Sequence, residues 1–271
     1  MSLFSRKNGR ATARGRFGSV ATRLGHASQA QVDAALEEQR GPGNGPNEHR
    51  PLGSIMVEMG MLTPMQLGHI LSRSKTDEFR ISGDAFRLAA RLEMLFEGGQ
   101  VFIFSGAGRS PALSDLVNQI AIATTLLGHG PTLLVDGDLE QPSLHGIHKL
   151  PASPGLGDVL LEKAKLESVV RNTAFDGLSL LAAGDTGHCP MPLMLSEHVG
   201  ELFAEMRRKY KLVLVAAAPI LDGSETSILT AHANGAVIGA VAGQDSLSKI
   251  AQAAEIFEAL RVPVLGSILC E

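Results

Sequence analysis

The stretch "FIFSGAGRSPALSDLVNQIA", residues 102–121, decides the fold. Its apolar start has the length of a strand, a glycine cluster follows, and the last part has the apolar spacing of a helix. A strand, a glycine-rich turn and a helix in this order are typical of a phosphate-binding loop. That loop normally carries a lysine, and this one has none. The sequence therefore raises the question of whether a nucleotide still binds here.

Apolar runs of strand length recur along the chain, and helical patterns separate most of them. The runs VFIFS, TLLVD, LSLLAA, LVLVAA, AVIGAVA and VPVLGSIL begin at residues 101, 132, 178, 212, 236 and 262. Helices are predicted over 115–127, 193–209 and 246–260. Fully apolar strands that alternate with helices predict an α/β fold with a doubly wound, mostly parallel sheet of P-loop NTPase type.

The predicted domains follow from these patterns. The α/β domain takes residues 97–271, and a small helical two-repeat domain takes residues 16–74. A connecting helical segment over 75–96 joins them, and residues 1–15 form a basic flexible tail.

Composition restricts the function. The net charge of -4 argues against a nucleic-acid binder. Neither cysteines nor histidines have the spacing of a metal site, so no metal is expected, and a reducing compartment fits two isolated cysteines. Neither a signal peptide nor a transmembrane stretch is recognisable. These features predict a cytoplasmic protein, which a partner would bring to the inner membrane.

Several segments after residue 84 carry a family resemblance. The most specific is D-x-D-L-x-x-P-x-L-H over 136–145, and PGLGDVL over 154–160, LAAGD over 181–185 and DAFR over 84–87 accompany it. In these segments the chain resembles the kinase domain of the bacterial tyrosine kinases (BY-kinases) of capsule and exopolysaccharide export, which belong to the MinD/ParA group of P-loop ATPases. The resemblance implies homo-oligomers that dock on a membrane-anchored polysaccharide copolymerase or export protein.

The chain departs from that family where ATP would bind. Aligned without gaps, Ser105 and Asn118 match the ends of the family's loop, and Ser114 matches its threonine. Other residues replace the second glycine, the lysine, the magnesium-binding hydroxyl and the Walker B aspartate, which are Pro111, Ala112, Leu113 and Ala216 here. A shifted alignment would place Arg109 in the lysine's role, but it loses the match at Asn118.

These losses predict a pseudokinase, because phosphoryl transfer depends on positioning and charge stabilisation. No catalytic residue and no metal ligand is predicted, and ATP with Mg²⁺ is not expected as a cofactor. The degenerate nucleotide site comprises Gly108, Arg109, Ala112, Ser114, Asp136 and Asp138. Asp136 and Asp138 are expected to cap a helix or form a turn.

The helical domain contains two similar copies, residues 16–39 and 52–74. Gly18 aligns with Gly53, Gly25 with Gly60, and Val32 with Leu67, while Ser28 and Thr63 each precede a helix as N-caps. The copies resemble the MshEN family, the N-terminal domain of type II secretion and pilus ATPases.

That resemblance implies cyclic di-GMP as the ligand. Glycines would let backbone N–H groups approach phosphate, arginine would contact guanine, and apolar side chains would cover the rings. The implied ligand residues are Arg16, Phe17, Gly18, Gly25, Gln39, Leu52, Gly53, Met56, Val57 and Gly60. The alternative is a helical protein-interaction module without a ligand.

Three functions remain open at this point. The first is a non-catalytic regulator of exopolysaccharide assembly that responds to cyclic di-GMP. The second is an active tyrosine kinase or ATPase with an unusual loop, acting in exopolysaccharide chain-length control. The third is a scaffold that binds no nucleotide at either site.

Overall fold

The computed structural model describes residues 17–40, 52–63, 66–67, 70, 81–95, 98–128, 130–185 and 198–270. The chain divides into two compact units, one of residues 1–94 with 126–128 and one of residues 95–125 with 129–271. Among the described residues, no helix is both long and apolar enough to cross a bilayer.

The first unit is helical. Residues 17–23 are helical, and three further helices are α1 (Gln29–Arg40), α2 (Leu52–Glu58) and α3 (Gly83–Leu95). Helix α3 begins with the DAFR segment and buries Phe86, while Arg87 is exposed and forms an ion pair with Asp84.

The two copies of the first unit have the same backbone hydrogen bonds at an offset of 35 residues. The N–H of Val32 donates to the Ser28 carbonyl, and the N–H of Leu67 donates to that of Thr63. The capping boxes match as well: Ser28 exchanges hydrogen bonds with Gln31, and Thr63 exchanges them with Gln66. The prediction that Ser28 and Thr63 are N-caps is therefore confirmed.

The second unit is built on a seven-stranded sheet. Its strands are β1 (Gln100–Gly106), β2 (Thr132–Gly137), β3 (Arg171–Asn172), β4 (Leu178–Leu181), β5 (Leu212–Ala217), β6 (Gly235–Val241) and β7 (Val264–Cys270). Their order is β3-β4-β2-β5-β1-β6-β7. Only the pairing of β3 with β4 is antiparallel within this sheet. The predicted α/β class with a mostly parallel sheet is confirmed.

The helices of this unit lie between the strands in sequence. They are α4 (Pro111–Leu126), α5 (Leu144–Ile147), α6 (Leu156–Leu160), α7 (Leu166–Val169), α8 (His198–Lys209), α9 (Ser224–Thr230) and α10 (Leu247–Ala259). Val101 and Ile103 of β1 pack in one cluster with Phe203 of α8. Phe102 and Phe104 are equally buried and point to the other face, because side chains alternate along a strand.

The predicted long helices exist with shifted ends. Helix α4 begins four residues before the predicted start, because proline is favoured in the first turn of a helix. Helix α10 follows its N-cap Ser246. Helix α8 is described from His198 onward, and residues 193–197 of that prediction lie outside the described residues.

Candidate functional site

The candidate site lies where β1, β2 and β5 end. These strands are neighbours in the sheet, with β5 between the other two, and all three run parallel. The loops that leave their carboxyl ends therefore emerge side by side, which is where ligands bind in open α/β sheets. The three loops are residues 107–110, 138–143 and 218–223.

Close packing against Asp245 and a hydrogen bond to Ser110 shape the loop after β1. Gly108 lies against Asp245, so closely that a Cβ at this position would come within 2.5 Å of a carboxylate oxygen. The Ala112 N–H donates to the Ser110 hydroxyl oxygen at 3.2 Å. Pro111 begins α4 and has no N–H to donate. The backbone groups that would converge on phosphate are thus missing at 111 and already bonded at 112.

Leu113 occupies the position of the magnesium-binding hydroxyl and points into the core. Its side chain is 6% exposed and packs on Gly239 of β6, where a Cβ would meet the leucine methyl at 2.6 Å. Ala112 and Ser114, on either side of it, are partly exposed. This helix end therefore presents neither a cation nor a buried hydroxyl at positions 112 and 113.

The Arg109 side chain contacts carboxylates from two other loops. Its Nη1 lies 2.6 Å from Asp138 Oδ2, and its Nη2 lies 3.3 Å from Glu140 Oε2, both in the loop after β2. Its Nε lies 3.9 Å from Asp222 Oδ2 in the loop after β5. The sequence suggested Arg109 only as a substitute for the lysine; the structure places its guanidinium in ion pairs instead. The contribution of Glu140 and Asp222 was not predicted, because Glu140 stands at an unspecified position of the 136–145 pattern and Asp222 belongs to no motif.

The cavity beside Arg109 is small and acidic. Its volume is about 20 Å³, which is room for about one water molecule. Four carboxylates and the one guanidinium line it, those of Asp138, Glu140, Asp222, Glu225 and Arg109. This cavity has no room for a triphosphate, and its lining has little positive charge to attract one.

Asp136 and Asp138 have structural roles. Asp136 Oδ2 accepts hydrogen bonds from the N–H groups of Ser143 and Leu144, both at 2.9 Å, at the start of α5. Asp138 Oδ1 accepts one from the Gln141 N–H at 3.0 Å, which closes a turn. The expectation that the two carboxylates cap a helix and form a turn is confirmed.

Burial raises the pKa of Asp136 to about 7, although the N–H groups of Leu144 and Ser143 favour its ionised form. Asp136 is 1% exposed. Its partner across the β2–β5 pair is Ala216, the position of the Walker B aspartate. Alanine at 216 thus gives Asp136 no carboxylate on its β5 partner, and the nearby Asp138 carboxylate contributes to the raised pKa.

The residues implied as the cyclic di-GMP site fall into two groups. Phe17, Leu52 and Met56 are core residues with at most 8% exposure, so they offer a ligand almost no surface. Gly25, Gln39, Val57 and Gly60 have at least partly exposed positions. Arg16 lies outside the described residues.

Packing and backbone conformation explain the four aligned glycines of the two copies. Gly18 and Gly53 are buried, and a Cβ on them would collide with Val32 and Leu67 respectively. Gly25 and Gly60 have φ angles of 70° and 68°, which glycine adopts without strain. Their N–H groups donate to the carbonyls of Thr22 and Val57 in their own turns.

Comparisons with known proteins agree with the fold. The chain is 28% identical over 225 residues to EpsB of Ralstonia solanacearum, which is provisionally named a tyrosine-protein kinase. The match covers 80% of this chain and 29% of EpsB, so the chain spans less than a third of that relative. Other relatives, such as YwqD of Bacillus subtilis, are also named tyrosine-protein kinases. No profile of a protein family matches the chain.

Solved structures show the same architecture. The kinase domain of the Escherichia coli tyrosine kinase ETK superposes with a TM-score of 0.63 at 19% identity, covering 69% of this chain and 72% of that domain. The septum site-determining protein MinD of Pyrococcus horikoshii, in complex with Mg-ADP, gives a TM-score of 0.53 at 20% identity over 63% of this chain and 69% of MinD. The second unit therefore has the P-loop fold that BY-kinases share with MinD.

Proposed function

We propose that this chain is a non-catalytic regulator of exopolysaccharide biosynthesis or export, built on a kinase fold that has lost ATP chemistry. The observation that carries the proposal is the ion pair between Arg109 and Asp138. It fills the end of the sheet with the chain's own side chains at the place where a nucleotide would lie.

The residues around this ion pair support the same proposal. A P-loop needs backbone donors, a lysine and a magnesium ligand, and the chain has Pro111, Ala112 and Leu113 at those positions. The acidic lining of the cavity would repel a triphosphate rather than attract it. The test is whether the purified chain binds ATP with Mg²⁺ or transfers its phosphate, and we expect neither.

The partner is a membrane-anchored polysaccharide copolymerase or export protein. BY-kinases dock on such proteins, and the DAFR segment is retained here with Asp84 and Arg87 exposed on α3. A docking surface does not need the lysine or the metal, so it can persist after ATP chemistry is lost. The protein would then reach the inner membrane from the cytoplasm through this partner.

The alternative function is an active tyrosine kinase or ATPase of exopolysaccharide chain-length control. The observation that favours it is the naming of the curated relatives as tyrosine-protein kinases. It requires a nucleotide to displace Arg109 from Asp138 and to bind without the P-loop lysine.

We further propose that the first unit responds to cyclic di-GMP. The observation that favours this is the duplication: two copies with matching hydrogen bonds and capping boxes, as expected for the two-copy MshEN architecture. A ligand with two equivalent halves suits a domain with two equivalent copies. The two copies differ at their first and last residues. The first copy begins with Arg16 and ends with Gln39, and the second copy has neither residue at the equivalent positions.

Titration of the full chain with cyclic di-GMP is expected to show binding that depends on the first copy. Arg16→Ala removes a charge-assisted contact worth roughly 1.5–3 kcal/mol, so affinity should fall by about tenfold to a hundredfold. Arg50→Ala is the matched control and should have little effect, because Pro51 stands at the equivalent position. Calorimetry and thermal melting are the measurements. No heat and no melting shift with the wild-type chain would favour the interaction-module alternative.

A further inference from the structure

Arg109 joins three strand-end loops that have no covalent connection near the site. It belongs to the loop after β1, its strongest contact is in the loop after β2, and its third contact is in the loop after β5. We propose that Arg109 is a built-in cation that ties these loops together, in the place of the bound ligand that joins them in P-loop enzymes. The sheet's carboxyl end would then keep one arrangement without any ligand.

The three ion pairs of Arg109 differ in strength, and the exposure of the side chains indicates their order. The Arg109 and Asp138 side chains are 29% and 15% exposed, and their 2.6 Å contact is charge-assisted. Glu140 and Asp222 are 65% and 48% exposed, so their longer contacts contribute less. The planar guanidinium suits this task because its fork of donors can reach several acceptors, which a lysine ammonium cannot do in the same geometry.

Neutral hydrogen bonds support the same loops. The Ser105 hydroxyl donates to the Ala218 carbonyl at 2.8 Å, and the Thr226 hydroxyl donates to the same oxygen at 3.0 Å. These bonds hold the start of the loop after β5 independently of Arg109. Removal of the guanidinium is therefore expected to loosen the loops and to leave the sheet folded.

Hydrogen exchange measures this loosening directly. The Gln141 N–H, bonded to Asp138, reports on the loop after β2, and the Asp222 N–H, bonded to the Pro219 carbonyl, reports on the loop after β5. In Arg109→Met, both amide protons should exchange at least about tenfold faster. Local opening of each loop costs less free energy when the ion pairs of Arg109 are removed. Arg208→Met, an exposed arginine on α8 of the same unit, is the control and should leave both rates unchanged.

Chemical rescue distinguishes the contribution of the guanidinium charge from that of the aliphatic part of the Arg109 side chain. In Arg109→Ala, N-propylguanidinium at low millimolar concentration should slow the exchange of both reporters again, whereas sodium chloride at the same ionic strength should not. The wild-type chain and Arg208→Ala should not respond. If Arg109→Met does not fold, Asp222→Asn is the second variant to measure. It should accelerate hydrogen exchange in residues 218–223 and leave exchange in residues 138–143 unchanged.

Faster exchange in both distant loops with rescue by the guanidinium supports the proposal. Unchanged rates in both loops, or a change confined to residues 107–110, would overturn it. This inference rests on the proposed function in one respect: Arg109 takes the place of a bound ligand only if the chain has lost ATP binding. ATP binding by the wild-type chain would overturn that function and leave the exchange result standing, whereas unchanged exchange would overturn this inference alone.

Discussion

Ala216→Asp, which restores the Walker B carboxylate, is expected to destabilise the second unit by about 3–5 kcal/mol and not to rescue ATP chemistry. Ala216 is 3% exposed in β5, and its partner in β2 is Asp136, itself 1% exposed. Paired residues of neighbouring strands project to the same face, so the new carboxylate would lie beside a buried one. Without a metal between them, burial and mutual repulsion both oppose ionisation.

Ala216→Asn is the matched control, since asparagine has nearly the same volume and no charge. We expect chemical denaturation at pH 8 to show a larger loss of stability for aspartate than for asparagine, and the difference should shrink as acid protonates the carboxyls. Equal stability of the two variants, or phosphate release from ATP by Ala216→Asp, would contradict this explanation of position 216.

Asp136→Asn is expected to gain stability relative to the wild-type chain as the pH rises. The pKa of Asp136 is about 7 in the folded chain against an ordinary value of 3.8. Between these values the folded chain keeps a proton that the unfolded chain has lost, so wild-type stability falls as the pH rises through this window. Its contribution is complete below pH 4 and lost above pH 7, a change on the order of 4 kcal/mol at about 1.4 kcal/mol per unit.

The asparagine does not titrate and can still accept the N–H groups of Ser143 and Leu144 through its amide oxygen. The measurement is the difference in unfolding free energy between variant and wild type, by urea denaturation from pH 4 to pH 8. Asp176→Asn, at an exposed aspartate, is the control and should change this difference little. A difference for Asp136→Asn that stays constant over the window would show that burial does not hold a proton on this carboxyl.

The sequence predicted the strands of the sheet well, because each strand is recognisable from its own residues. The buried strands are continuous apolar runs, and long helices such as α4 and α10 have clear periodicity. Strand β3 and the short helices α5 and α6 were not predicted, since two to five residues are too few to show a period. The order of strands depends on contacts between distant residues, and the sequence did not predict it.

The site was predicted in part. The motif alignment identified the residues at the end of β1 and β2, and the roles of Asp136 and Asp138 as cap and turn were correct. The ion pairs of Arg109 were missed because Asp222 is more than a hundred residues away in sequence and belongs to no motif. In the first unit, the glycine pattern was right, but a sequence does not tell whether a glycine faces a ligand or a neighbouring helix, as Gly53 does.

Titration of the wild-type chain with ATP in the presence of Mg²⁺, together with an assay of phosphate release, tests the central claim most directly. A BY-kinase domain that retains the P-loop lysine serves as the positive control. We expect no saturable heat at concentrations that saturate the control, and phosphate release at the rate of a protein-free blank, whereas kinases typically turn over about 1–100 times per second. Saturable ATP binding or phosphate release that Asp138→Asn abolishes would contradict the account.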